Sequence, residues 1–237
     1  MIELRRGERD LVRVGHRGAA ALAPENSLAA IEAAAAHGMD AVELDVLRGL
    51  GGGLVLAHGP ELPPGAPPLD EALALAARLG LAVQLDVKSA GVAVAAVEAL
   101  RRHALLERAF VSSSAQPVLA EFRAAEPSLP RSLTYPDDRL GLSLRRWARP
   151  GVRAGLAALR TALPLRLPAW LRAAGAAAAT LNWAVASRAA TEACHRADAA
   201  VYVWTVNDAK LVRALVEIGV DGIISDDPRL LARTLRP

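Results

Sequence analysis

The sequence predicts a (β/α)8 TIM barrel: a parallel sheet closed on itself, with helices outside. Three observations predict it. Short apolar runs alternate with Ala/Leu-rich helical stretches along the whole chain, the pattern of a parallel sheet with crossover helices. Eight such strand-helix units fit within the 237 residues. The polar residues that a packed core does not need stand at the C-terminal ends of the runs, where a barrel carries its chemistry. The competing arrangement is an open doubly wound sheet. No G-x-G-x-x-G follows the first run, so its dinucleotide-binding form has no support.

The elements follow in order. "LVRVGH" ends a first strand, and "NSLAAIEAAAAHG" is a helix with Asn26 or Ser27 as N-cap and Gly38 as its stop. "MDAVELDV" is a strand, and "LRGLGGGLVLAH" is a hairpin turned back by its glycines. "LDEALALAARLG", "GVAVAAVEALRRHAL" and "AQPVLAEFRAAEP" are helices interleaved with the strands "LAVQLDVK", "RAFVSS" and "LPRSLTY". From Asp137 to Ala177 the chain is rich in Arg, Leu and Ala. It predicts one or two helices, broken near Pro150 and between Pro164 and Pro168. "AAATLNW", "AAVYVWTVN" and "VDGIIS" are the last strands, with helices between and after them.

The bulk properties narrow the class. Hydrophobic residues make up 53%, with few aromatics, and the formal charge is only +3. Basic residues are interleaved with acids and Ala/Leu, so no nucleic-acid partner is expected. The lone Cys194 allows no intramolecular disulfide and no cysteine-rich metal site. The charged start "MIELRRGERD" lacks the apolar stretch of a signal peptide, and no window is apolar enough to span a bilayer. A single cytoplasmic domain over residues 1–237 is the expectation.

The strand ends carry the chemistry. His16 and Arg17 end the first strand, Glu43 and Asp45 the second, and His58 the hairpin arm. Asp86 and Lys88 end the next, Trp204 and Asn207 the seventh, and Asp226 the eighth. Glu43 and Asp45 are two apart and share a strand face. Two carboxylates there repel unless a cation or proton intervenes. With Asp86 they make an all-oxygen set suited to a hard divalent ion, Mg²⁺ or Ca²⁺. An ion-pair network with Arg17 and Lys88 is the plainer alternative. His16 and His58 at opposing strand ends suit general acid-base work. His37 and His103, at helix C-termini where positive charge meets the dipole, and His195 on a helix face read as structural. Arg17 and Lys88 beside a metal suit an anionic, oxygen-rich substrate such as a phosphate. Trp204 is either rim packing or a substrate wall.

Taken together, "GHRGAAALAPENS", "GMDAVELDV", "LVLAH", "PPLDEAL", "LDVK", "YVWTVN" and "GVDGIISDDP" resemble the glycerophosphodiester phosphodiesterases. The stretches occur in the family's order, from near residue 12 to near residue 230. The resemblance implies divalent-ion-assisted hydrolysis of a glycerophosphodiester to glycerol 3-phosphate and an alcohol. It implies His16 and His58 as the acid-base pair, Glu43, Asp45 and Asp86 as ligands of one ion, and Arg17 and Lys88 on phosphate oxygens. Trp204 would face the glycerol, Glu25 would orient the first-strand loop or His16, and Asn207 would support the site. Three departures stand out. The family's His-Asp is His58-Gly59 here, its third carboxylate ligand is usually Glu rather than Asp86, and most of its small insertion subdomain after the second strand is missing. The more open mouth and the Arg/Leu/Trp segment from Arg145 to Arg172 admit a lysophospholipase D type alternative, with weak membrane-surface contact. A non-catalytic phosphoester-binding barrel is a third reading.

Overall fold

The structure, a computed structural model, describes residues 2–7, 10–59, 61–136 and 149–235. Eight parallel strands close into a barrel: β1 (Val12–Gly15), β2 (Ala41–Arg48), β4 (Ala82–Val87), β5 (Ala109–Ser113), β6 (Arg131–Tyr135), β7 (Ala178–Asn182), β8 (Ala200–Trp204) and β9 (Gly222–Ser225). β1 pairs with both β9 and β2, which shuts the sheet. β3 (Leu54–Leu56) returns antiparallel along β2, the hairpin that the glycine-rich run predicts.

The helices α1 (Leu28–Ala36), α2 (Leu69–Arg78), α3 (Ala93–Arg102), α4 (Gln116–Ala125), α5 (Arg149–Ala174), α6 (Arg188–Arg196), α7 (Ala209–Glu217) and α8 (Pro228–Thr234) follow the strands in turn. Side-chain caps start several of them. Ser27 accepts from the Ala30 amide, Ser187 from Ala190, and Asp208 and Asp227 cap α7 and α8. The cap of α1 is therefore Ser27, which leaves Asn26 free for the site.

One expected break is absent. α5 runs through Pro164 and Pro168. Each proline removes one backbone bond and costs about 3 kcal/mol in a helix interior. Leu163, Leu167 and Leu171, spaced four apart, are buried along one face of the same turns. Each contributes about 1.5–3 kcal/mol on burial, so packing offsets the local penalty. Pro150 lies at the first turn, where proline is tolerated. Residues 137–148 lie outside the described ones, including the N-terminal part of the Arg145 to Arg172 segment.

Two apolar layers hold the barrel. The larger lies between sheet and helices. The smaller fills the barrel's N-terminal end, where Phe110 and Tyr202 pack 5.1 Å apart and Leu4 closes over them. Tyr202 Oη donates to the Leu4 carbonyl at 3.2 Å. This end is plugged, and the polar residues gather at the other. No helix among the described residues is long and apolar enough to cross a membrane.

Candidate active site

His16, Arg17, Glu43, Asp45, His58, Gln84, Asp86, Lys88, Thr134, Thr180, Trp204 and Ile224 line a cavity at the C-terminal ends of the strands. Strand register builds it. Asp45 pairs with Asp86 across β2 and β4, and Asp86 with Ser112 across β4 and β5. Three carboxylates thus converge, with one oxygen from each of Glu43, Asp45 and Asp86 within 4.8 Å of the others. They are nearly inaccessible to solvent, at 4%, 1% and 7% exposure.

The "GHRG" turn is a backbone device. Arg17 adopts φ 50° and Gly18 φ 87°. A Cβ on Gly15 would lie 2.0 Å from the Gly18 carbonyl oxygen, and one on Gly18 would lie 2.6 Å from the Ala30 backbone. Only glycine fits at either position, because the loop passes directly over α1. The turn aims the Arg17 amide at Glu43 Oε2, 2.9 Å away. The Asn26 amide donates to the Arg17 carbonyl at 3.0 Å. The Asn26 side chain clasps Asp45 twice, once to its amide and once to Oδ2, both at 3.0 Å. Glu25 does not reach His16. It accepts from Arg17 Nη1 at 2.6 Å.

Both histidines are held through Nδ1. His16 Nδ1 lies 2.6 Å from Asp226 Oδ1, and His58 Nδ1 lies 3.1 Å from Asp45 Oδ2. His16 Nε2 stands 3.9 Å from Glu43 Oε2. Burial opposes charge on His16, but the Asp226 hydrogen bond and the Glu43 charge outweigh it and raise its pKa. Asn207 holds Asp226 in turn. It donates to Asp226 Oδ2 and accepts from the Asp226 amide at 3.0 Å. Asp226 itself is held below the usual carboxylate range: burial would raise it, and its bond to His16 prevails.

The ion-pair network that the sequence admits is present in part. Arg17 Nε lies 3.0 Å from Asp45 Oδ2, though the buried N–H is not aligned for a hydrogen bond. Lys88 Nζ lies 2.9 Å from Asp45 Oδ1 and contacts Asp86 Oδ2 as well. Burial would raise the Asp45 pKa, but His58, Lys88, Arg17 and Asn26 together hold it far below the ordinary range. Burial would lower the pKa of Lys88, yet its carboxylate neighbours drive it up. Glu43 is the exception. Its pKa is pushed up to about 7, first by burial and then by Asp45. Three carboxylates face two permanent cations, and Glu43 is the one with no permanent cation paired to it; its nearest basic group is His16, Nε2 at 3.9 Å. An all-oxygen donor set with one unmet negative charge fits a hard divalent cation.

Trp204 is partly buried on the cavity wall, its Nε1 donating to the Thr180 carbonyl at 3.3 Å. His37 and His103 sit at the C-caps of α1 and α3. His195 Nε2 lies 2.8 Å from Asp221 Oδ2, away from the cavity. Contributors that escape the sequence reading of the site include Asn26, Gln84, Ser112, Thr134 and Thr180. Asp226 stands out in the sequence only as a polar strand end, with nothing to tie it to His16.

Comparison with known proteins gives the family. A model of the glycerophosphoryl diester phosphodiesterase family matches residues 16–66 and 151–230, more than half of the chain. The chain belongs to this family. It is thus a phosphoric diester hydrolase, and the matched stretches include His16, Arg17, Glu43, Asp45, His58, Trp204 and Asp226. A search of curated proteins gave no match. Solved structures of similar fold include a putative glycerophosphoryl diester phosphodiesterase from Silicibacter pomeroyi DSS-3. It is 22% identical, with 98% of this chain and 95% of that one covered, at TM-score 0.80. An Oleispira antarctica phosphodiesterase, in complex with the product sn-glycerol-3-phosphate, is 20% identical, with 94% and 95% covered, at TM-score 0.74. A putative glycerophosphodiester phosphodiesterase from Galdieria sulphuraria is 18% identical, with 95% and 98% covered, at TM-score 0.77.

Proposed function

We propose that the protein hydrolyses glycerophosphodiesters to glycerol 3-phosphate and an alcohol, with one divalent ion, Mg²⁺ or Ca²⁺, at Glu43, Asp45 and Asp86. One observation carries the reading. Two histidines, each fixed through Nδ1 by a carboxylate, share a single cavity with a cluster of three carboxylates that faces only two permanent cations, Arg17 and Lys88. Family membership and the Oleispira product complex point to the same substrate class.

When bound, the ion supplies positive charge to the phosphate. The chain's own residues do the rest. Arg17 and Lys88 hold non-bridging oxygens as negative charge builds on phosphorus. One histidine takes a proton from the attacking hydroxyl as the new P–O bond forms; water gives glycerol 3-phosphate directly, whereas the glycerol hydroxyl gives a cyclic phosphate that a water must then open, with breakage of one ring P–O bond. The other delivers a proton to the alcohol oxygen as its bond to phosphorus breaks. Asp226, braced by Asn207, fixes the tautomer and orientation of His16. Trp204 offers an apolar face to the glycerol carbons. The link from Ala57 to Pro68, between β3 and α2, is short, so broad tolerance for the leaving alcohol is expected.

The test is a screen of glycerophosphodiesters and lysophospholipids with Mg²⁺, Ca²⁺ or EDTA. Glycerol 3-phosphate release that depends on the ion is the expected result. Preferential turnover of lysophospholipids would establish the lipid reading instead. Substrate binding without turnover of any diester, a generic aryl phosphodiester included, would leave only a phosphoester-binding barrel.

A further inference from the structure

Asp86 is one methylene shorter than glutamate, yet its carboxylate reaches the cluster, and a hydrogen-bond chain behind it explains how it is held. Ser112 Oγ donates to Asp86 Oδ1 at 2.6 Å. Thr134 Oγ1 donates to the same oxygen at 3.3 Å. Gln84 Nε2 donates to Ser112 Oγ at 2.9 Å. All three polar links are buried or part-buried inside the barrel. Oδ2 is the Asp86 oxygen left to the cavity, where it meets Lys88.

Hydrogen-bond arithmetic fixes the direction of the chain. An ionised carboxylate only accepts, so the single hydroxyl proton of Ser112 must point at Asp86. Ser112 can then only accept from Gln84, and the amide must present its nitrogen. The consequence is visible at the other end of the side chain. Gln84 Oε1 is buried and has no hydrogen-bond partner. A buried acceptor left unmet costs about 1–3 kcal/mol. The reverse amide orientation would set an oxygen against an oxygen whose proton is already committed to Asp86. The strained end of Gln84 is thus the counterpart of an ordered hydroxyl at Ser112.

We infer that Gln84 and Ser112 are positioning residues: they tie back Asp86 Oδ1 so that Oδ2 is presented to the cation. This rests on the reading of Glu43, Asp45 and Asp86 as an ion site. Groups that orient metal ligands typically carry about 10–100-fold in affinity.

The test is titration of Mg²⁺ and of Ca²⁺ into the folded protein, followed by calorimetry rather than by activity. Ser112→Ala should weaken binding about tenfold. Gln84→Met should weaken it by less, because the serine hydroxyl stays but loses its director. The double variant should lose no more than Ser112→Ala, since both act through one proton. Ser112→Thr, which keeps a hydroxyl, should recover most of the affinity. If wild type binds either ion and both single variants, melting as cooperatively as wild type, bind it equally well, the positioning role is overturned. Additive losses would likewise overturn it, because they would show that the two residues act independently and not through one proton. A wild-type protein that takes up neither ion would overturn the ion site itself, a different failure that the same titration reveals.

Discussion

Protonation of Glu43 should compete directly with cation binding. Its pKa stands at about 7, raised from 4.5 chiefly by burial and then by Asp45. A cation needs the ionised form, so each pH unit below about 7 should cost up to tenfold in apparent affinity. Between about pH 8 and about pH 6 the ionised fraction falls from nearly all to roughly a tenth, and Mg²⁺ or Ca²⁺ should bind about tenfold more weakly. Glu43→Gln keeps the acceptor for the Arg17 amide but removes the titration. Its ion affinity should be low and nearly flat over that range.

Stability gives the opposite sign, which makes the pair of measurements decisive. A carboxyl whose folded pKa is raised favours the fold fully below about pH 4.5, and that contribution is lost as pH rises through about 7. The shift corresponds to something on the order of 3 kcal/mol against the ion-free protein at alkaline pH. Asp45, with its depressed pKa, contributes above the usual carboxylate range and loses that only at lower pH, so the two windows do not overlap. In EDTA at about pH 8, Glu43→Gln should therefore melt higher than wild type, and at about pH 5 the difference should nearly vanish. The ion should stabilise wild type far more than the variant. Equal melting of the two proteins at both pH values, together with pH-independent ion binding by wild type, would refute the reasoning.

Other outcomes follow from the same geometry. Removing either His16 or His58 as alanine should lower kcat by about 10²-fold or more with a much smaller change in KM; full activity in His16→Ala would remove it from the chemistry. Asp226→Asn takes away a partner that raises the His16 pKa, so the limb of the pH-rate profile that belongs to His16 should move to lower pH, and an unmoved profile would show that Asp226 only packs. Trp204→Ala should hurt glycerophosphodiesters more than a small aryl phosphodiester, whereas equal losses would make the ring a packing residue. Gly18→Ala drives a Cβ to 2.6 Å from the Ala30 backbone at φ 87° and should lower stability by about 3 kcal/mol, read as a drop in Tm.

The barrel and the first rank of the site were legible because strand ends are where polar residues look out of place. His16-Arg17, Glu43 and Asp45, and Asp86 and Lys88 each interrupt an apolar run at its last residues. Apolar periodicity alone locates those ends, and the barrel rule says they converge. The prolines of α5 mislead for the converse reason. Pro164 and Pro168 carry a strong local signal, but the burial of Leu163, Leu167 and Leu171 is set by tertiary packing and not by the helix sequence.

The second rank was illegible because it consists of pairings across strands. Nothing local joins His16 to Asp226, which lie 210 residues apart. "PEN" shows an asparagine before a helix, which reads as a cap. Its bonds to Asp45 exist because Ser27 takes the capping role and the loop folds Asn26 over β2. Ser112 inside "FVSS" reads as a weak polar alternation in a buried strand. Register places it opposite Asp86, and there it is the donor that a shortened carboxylate needs. The aspartate here has its Oδ1 held by a hydroxyl from the neighbouring strand at 2.6 Å. The substitution and its support are thus one feature spread over two strands, and neither half explains the other until the sheet is closed.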